Sequence, residues 1–238
     1  LIASLLEVIY LPIPDSMSRN IRYYKNKLYD KNTLIPNFDL GAGAADERSL
    51  TKISLRTILG RAVSGKFKLS LLYQIVYWFK PRKILELGTS LGFSGVALQR
   101  AANSDLITVE GNPYIAQLAH ETFAYFGITD SVKQYIGSFD DYLESILKED
   151  QVIDLVYVDG NHTLEATIRY FDLLVKYKNS ERFLIIFDDI YWSAGMQSAW
   201  KYICTSVENA YTLDLFSIGI IIFDSSILIK QQYTIVPW

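Results

Sequence analysis

The sequence predicts an α/β fold: a doubly wound, mostly parallel sheet of about seven strands that ends in an antiparallel hairpin, behind an N-terminal helical segment. Three observations predict it. From Lys83 onward, short apolar runs alternate with helical stretches, the order of a parallel sheet joined by crossover helices. Runs such as "FLIIF" (183–187) are apolar without interruption, as strands buried on both faces must be. The last stretch, "YTLDLFSIGIIIFD" (211–224), has no helix between its two apolar runs, so it reads as a hairpin around Gly219.

The elements follow in order. "KILEL" (83–87) is a strand and Ser94 to Ala102 a helix. "LITVE" (106–110) is the next strand, and Pro113 to Phe126 a helix with proline in its first turn, where the missing N–H costs nothing. "SVKQYI", "DLVYVD" and "FLIIFDD" are further strands, followed by helices over Phe139 to Lys148, Leu164 to Lys178 and Ala194 to Ser206.

Residues 1–80 read as a helical cap or lid segment with no clear strand, and 81–238 as the main domain. Within the cap, "IPNFDLGAGAADERS" is the expected loop, with Gly41 and Gly43 as flexible points of a lid. "ERSLTKISLRTILGRAV" reads as a helix that puts Arg48, Lys52 and Arg56 on one face. That face is either solvated or a basic rim beside an anionic substrate. "LSLLYQIVYWF" is a second helix, stopped by Pro81.

Composition sets the partners. Half of the 238 residues are hydrophobic, and the net charge of −3 comes from mixed signs. No basic patch marks a nucleic-acid binder. Cys204 is the only cysteine, which excludes an internal disulfide and a cysteine zinc cluster and fits a reducing, cytoplasmic setting. The apolar start "LIASLLEVIYLPIP" lacks a basic flank and carries Glu7 and Pro12, unlike a signal peptide. No apolar run approaches the ~20 residues that span a bilayer. A small-molecule partner is expected, with no nucleic acid and no membrane. The oligomeric state stays open, a homodimer being one option.

In open parallel sheets, ligands bind beyond the carboxyl ends of the strands, where the strand order reverses. There the sequence places a glycine turn, "ILELGTSLGFSG" (84–95), then Glu110, "GSFDD" (137–141), Asp159 with Asn161 and His162, and the pair Asp188–Asp189. A dinucleotide fingerprint, G-x-G-x-x-G, needs a second glycine where this chain has Ser90. Glu86, just before the turn, opposes a pyrophosphate. The loop suits a ligand without phosphates and with a positive end, such as S-adenosylmethionine. Glu110 is placed to accept its ribose hydroxyls, and "GSFDD" to meet the adenine edge.

"ILELGTSLGFSGVAL", "ITVEGNP", "GSFDDYL", "VYVDGNHT" and "FDDIYWSAGM" resemble, in order and spacing, the motifs of class I S-adenosylmethionine-dependent methyltransferases. The nearest likeness is to the catechol O-methyltransferase-like branch and its small-molecule relatives, over roughly residues 66 to 192. The resemblance implies a Rossmann-like domain that methylates an oxygen of a small molecule. It implies cofactor contacts from Glu86, Gly88, Thr89, Ser90, Gly92, Ser94, Glu110, Ser138, Phe139 and Asp159. In the metal-dependent branch, acids matching Asp159, Asp188 and Asp189 hold a divalent ion, and three carboxylates suit Mg2+ or Ca2+. The branch often has a lysine base where this chain has His162, so His162 and Asp159 are the expected catalytic residues. Two alternatives stay open: an inactive cofactor-binding partner subunit, and a nicotinamide enzyme on the same scaffold. His120 and Cys204 read as structural. "IYWSAGMQSAW" (190–200) reads equally as acceptor wall or as packing.

Overall fold

A computed structural model describes residues 1–31, 33–36, 52–61, 65–150, 152–178 and 181–235. The N-terminal part has helices α1 (Ile2–Leu6) and α2 (Asp15–Tyr29), strands β1 (Leu34–Pro36) and β2 (Lys52–Ser54), and helices α3 (Leu55–Arg61) and α4 (Lys66–Phe79). The main part alternates β3 (Lys83–Leu87), α5 (Phe93–Ala102), β4 (Asp105–Glu110), α6 (Pro113–Tyr125), β5 (Val132–Ile136), α7 (Phe139–Glu149), β6 (Ile153–Val158), α8 (Leu164–Lys176), β7 (Arg182–Asp188) and α9 (Ala194–Ser206). Strands β8 (Ala210–Asp214), β9 (Ile218–Asp224) and β10 (Gln231–Thr234) close the chain.

The large sheet has eight strands in the order β10-β8-β9-β7-β6-β3-β4-β5. Strands β5, β4, β3, β6 and β7 are mutually parallel; β9 runs antiparallel to both β7 and β8. The expected doubly wound sheet and terminal hairpin are therefore present. The eighth strand, β10, was not expected. "QQYT" has no apolar alternation, and it lies on the outer edge, parallel to β8, where burial does not shape its sequence.

Three further expectations are corrected. The first 80 residues do contain strands: β1 and β2 pair antiparallel, Ile35 opposite Ile53. The helix expected over 47–63 begins only at Leu55, since Lys52–Ser54 is strand. Lys52 and Arg56 thus share no helical face, and Arg48 lies outside the described residues, as do Gly41 and Gly43. Arg56 is engaged locally: its Nε donates to Tyr29 O at 3.0 Å, and its guanidinium lies over the Tyr29 ring. Gly219 sits inside β9 rather than at the turn. A Cβ there would come within 2.6 Å of Trp200, so the glycine makes room for that ring.

Strand alternation divides the core. Leu85, Leu87, Val156, Val158, Ile185 and Phe187 pack against α7, α8 and α9. Ile84, Leu155, Tyr157, Leu184 and Ile186 face the other way, against α1, α4 and α5. Each large apolar side chain buried this way is worth about 1.5–3 kcal/mol. The parity has a functional result: Glu86, Tyr157, Asp159 and Asp188 fall on the face that α4 and α5 cover.

The strand order reverses between neighbours β3 and β6, the switch point of the sheet. There Asp159 N donates to Leu87 O at 2.8 Å, and Gly88 N to Val109 O at 3.0 Å. Gly88 has φ +107°, and a Cβ on it would overlap the Asp159 carbonyl. Gly88→Ala combines overpacking of about 1–3 kcal/mol with backbone strain of about 1–3 kcal/mol. We expect it to lower unfolding free energy by about 3 kcal/mol or more; an unchanged urea midpoint would contradict this close approach.

Candidate active site

A cavity of about 240 Å³ opens at this switch point. Its walls come from the ends of four strands: Gly88 and Ser90 after β3, Glu110 to Asn112 after β4, Gly137 to Asp140 after β5, and Asp159 to Asn161 after β6, with Tyr170 from α8. Of the expected cofactor residues, Gly88, Ser90, Glu110, Ser138, Phe139 and Asp159 line it. Glu86, Thr89, Gly92 and Ser94 do not; they are buried, Thr89 and Gly92 within the turn and Glu86 and Ser94 on the strand and helix it joins.

Glu110 is the best-held group on the rim. Its Oε2 accepts the Ser90 N–H at 2.9 Å and its Oε1 the Asn112 N–H at 3.0 Å. Burial raises its pKa, and those backbone donors work against the rise. Asn112 in turn caps α6 through Tyr114 N and Ile115 N, and donates to Pro36 O at 2.8 Å, which ties β1 to the rim. Ser90 adopts φ +47°. Its hydroxyl is buried with no partner among the described residues, in a residue of the cavity wall.

The residues expected to meet the adenine edge are set by helix capping. Ser138 forms a reciprocal capping box with Asp141 at the start of α7. Phe139, the next residue, meets the Tyr170 ring edge-on at 5.8 Å. Asn161, at φ +50°, donates to Tyr170 Oη at 2.9 Å. The flat wall thus combines aromatic rings with an amide.

Beneath the turn, Glu86 is fully buried. Thr108 donates to its Oε2 at 2.7 Å, and Oε1 has no partner among the described residues. Burial pushes its pKa up to about 7, against the lowering effect of Ser94 and Thr108.

The acids after β6 and β7 meet as the alternation requires. Tyr157 Oη lies 2.9 Å from Asp159 Oδ2 and 3.0 Å from Asp188 Oδ2. It has one proton to give, so one carboxyl must supply the second. Burial, then the charge of Asp188, holds the Asp159 pKa well above the usual carboxylate range, which marks Asp159 as the proton holder. Lys68 of α4 places Nζ 2.6 Å from Asp188 Oδ2 and 3.7 Å from Asp189 Oδ1. Burial works against its ammonium, but the carboxylates outweigh it and raise the pKa. His162 Nε2 is 3.7 Å from Asp159 Oδ1. Burial keeps the imidazole below its ordinary pKa, despite Asp189 and Asp188, so it is neutral near pH 7 and free to accept a proton.

These groups do not fit a divalent ion. Asp188 uses Oδ2 on Lys68 and Tyr157 and Oδ1 on the Asp189 N–H. Among the described residues, no group of three His, Cys, Asp or Glu side chains is arranged to hold a metal. Sequence reasoning missed Lys68 and Tyr157. Tyr157 had a signal, since it precedes Asp159 by two and shares its strand face; Lys68 is 120 residues from Asp188 and had none.

Residues 85–190 match the Methyltransf_24 family, described as a methyltransferase domain. Over these residues the chain is similar to class I methyltransferases of the catechol O-methyltransferase-like kind. Over 100 residues the chain is 36% identical to catechol O-methyltransferase B of Danio rerio, covering 40% of this chain and 38% of that protein. Over 126 residues it is 30% identical to O-methyltransferase hkm8 of Aspergillus hancockii, covering 51% and 49%. The matches thus span half or less of those two proteins. Among solved structures, the Bacillus cereus O-methyltransferase in complex with SAH superposes with a TM-score of 0.60 at 16% identity, over 89% of this chain and 91% of that one. TomG of Streptomyces achromogenes, an O-methyltransferase in complex with SAM, gives 0.59 at 19% identity, over 69% and 82%. At these identities the superpositions establish the shared fold. No helix of the methyltransferase domain, nor any other among the described residues, is long and apolar enough to cross a membrane.

The Glu86 carboxyl makes stability depend on pH. Its folded pKa of about 7 lies above the ordinary 4.5. Its contribution is therefore fully present below pH 4.5 and lost as pH rises through 7. In the ligand-free domain, the neutral substitution Glu86→Gln should gain on the wild type across that window, by about 3 kcal/mol in total. Urea unfolding below and above the window measures this; parallel pH curves for the two proteins would contradict it.

Proposed function

We propose that the domain transfers the methyl group of S-adenosylmethionine to a hydroxyl oxygen of a small molecule, with His162 as general base. The observation that carries this reading is Glu110, whose carboxylate is fixed by two backbone N–H groups at the rim of the switch-point cavity. A fixed bidentate acceptor suits a vicinal diol such as a ribose. The unpartnered Ser90 hydroxyl and the Phe139–Tyr170 wall favour an amphipathic ligand with a flat ring. The names of the relatives support the same reaction class.

When bound, S-adenosylmethionine supplies an electrophilic methyl carbon on a sulfonium. The chain's residues supply alignment and a nucleophile. Glu110 and Ser90 orient the cofactor from one side of the cavity. Gly88, having no side chain, lets it approach the sheet ends. A neutral hydroxyl is a weak nucleophile, and the neutral His162 imidazole takes its proton as the O–C bond forms and the S–C bond breaks. The charges of Asp189 and Asp188 favour the imidazolium that results. No residue here is assigned the task of holding a metal.

Glu110→Ala should weaken S-adenosylhomocysteine binding by roughly 1–3 kcal/mol, the value of a hydrogen bond to a charged group. Calorimetry checks this, and a wild-type chain that binds neither S-adenosylmethionine nor its product would remove the proposal. His162→Ala should cut turnover by about 10²–10⁴-fold with cofactor affinity nearly unchanged. Full turnover by that variant would remove the base and leave positioning alone.

A further inference from the structure

Lys68 stands where the acids after β6 and β7 converge. Its ammonium has three donors, and the Asp188 Oδ2 contact at 2.6 Å uses one. Asp189 Oδ1, at 3.7 Å, interacts by charge rather than by a hydrogen bond. Tyr157 fastens Asp188 to Asp159 from the sheet side. The open side of the cluster remains accessible, with the side chains of Lys68, Asp189 and His162 partly exposed at 22%, 33% and 24%.

A divalent ion bound by these carboxylates would need their free lone pairs at about 2.0–2.6 Å. Three of the roughly four lone-pair sites of Asp188 are already engaged, by Lys68, Tyr157 and a backbone N–H. An incoming ion would have to displace a cation held at contact distance. The position of Lys68 is also mechanically fixed. It lies in the first turn of α4, and that helix is locked to the sheet by Leu71, Leu72, Ile75 and Val76, each 2% exposed or less.

We infer that Lys68 is the resident cation of this site, standing among the carboxylates in place of a divalent ion, so that methyl transfer here needs no metal. Its part in methyl transfer rests on the proposed function; its occupation of the carboxylate cluster does not. The free ammonium donors can hold the acceptor oxygen while His162 takes its proton. Lys68 neither gains nor loses a proton when the O–C bond forms and the S–C bond breaks. It acts by position and charge.

The test is Mn2+ titration of the full chain, read by the electron paramagnetic resonance of the free ion. S-adenosylhomocysteine is titrated into the same samples. Lys68→Met bares the carboxylates and should bind Mn2+ at least about tenfold tighter than the wild type. The gain should vanish in the double variant Lys68→Met/Asp188→Asn, and Lys68→Arg, which keeps the charge, should behave as the wild type. Lys68→Gln replaces Lys68→Met if circular dichroism shows that the latter has not folded. Equal Mn2+ affinities of the wild type and the uncharged variant, at any value, overturn the inference. So does turnover by the wild type that stops in excess chelator. If the folded wild type fails to bind S-adenosylhomocysteine, the methyltransferase reading falls, while the Mn2+ comparison still decides what Lys68 does.

Discussion

The site is built on the contact between the turn after β3 and the end of β6. Gly88 lies against the Asp159 carbonyl with no room for a Cβ. Backbone hydrogen bonds stitch the turn to both neighbouring strands, Leu87 O to Asp159 N and Val109 O to Gly88 N. Since β3 and β6 are adjacent while their following helices lie on opposite sides of the sheet, their connections part and leave a crevice. The glycine draws the two chain ends together, and the rims contributed after β4 and β5 follow from the parallel register.

The buried acids around this contact are stabilised in three ways. Glu86 lies deepest and keeps its proton until about pH 7. Glu110 meets two backbone N–H groups. Asp188 has an ammonium ion and a phenol. An isolated carboxylate in an apolar setting costs far more than the net stability of a domain, so each acid needs one of these answers. The three answers also set the acids apart: one supports the turn, one is held at the rim by the backbone, and one joins a charged cluster beside His162.

The N-terminal segment belongs to this arrangement through particular contacts. Leu55, Ile58 and Leu69 pack with Leu91 and Phe93 at the start of α5, and Pro36 receives the Asn112 amide. Helix α4 does more, since it fills the sheet face and delivers Lys68 to Asp188. The residues that cover the fold and those that complete the site are here the same helix.

Local pattern determined most of the main domain. Uninterrupted apolar runs define buried strands, glycines with Ser90 mark the strand-to-helix turn, and acids at strand ends mark the ligand edge. These signals act over a few residues, so they are legible without the fold. Strands β1, β2 and β10 were not legible, because each is short and lies on a sheet edge where half-burial leaves little pattern. Nor does the sequence show that Glu86, Thr89, Gly92 and Ser94 are buried away from the cavity, since residue type alone does not tell which side of a loop a residue faces. The metal expectation turns on a similar point. Asp159, Asp188 and Asp189 are visible as three acids, but whether they hold an ion depends on what else reaches them. Only the packing of α4 against the sheet brought Lys68 there. Tertiary structure decides that question because a charge from 120 residues away changes a carboxylate as strongly as an adjacent one, and its approach leaves no mark on the local sequence.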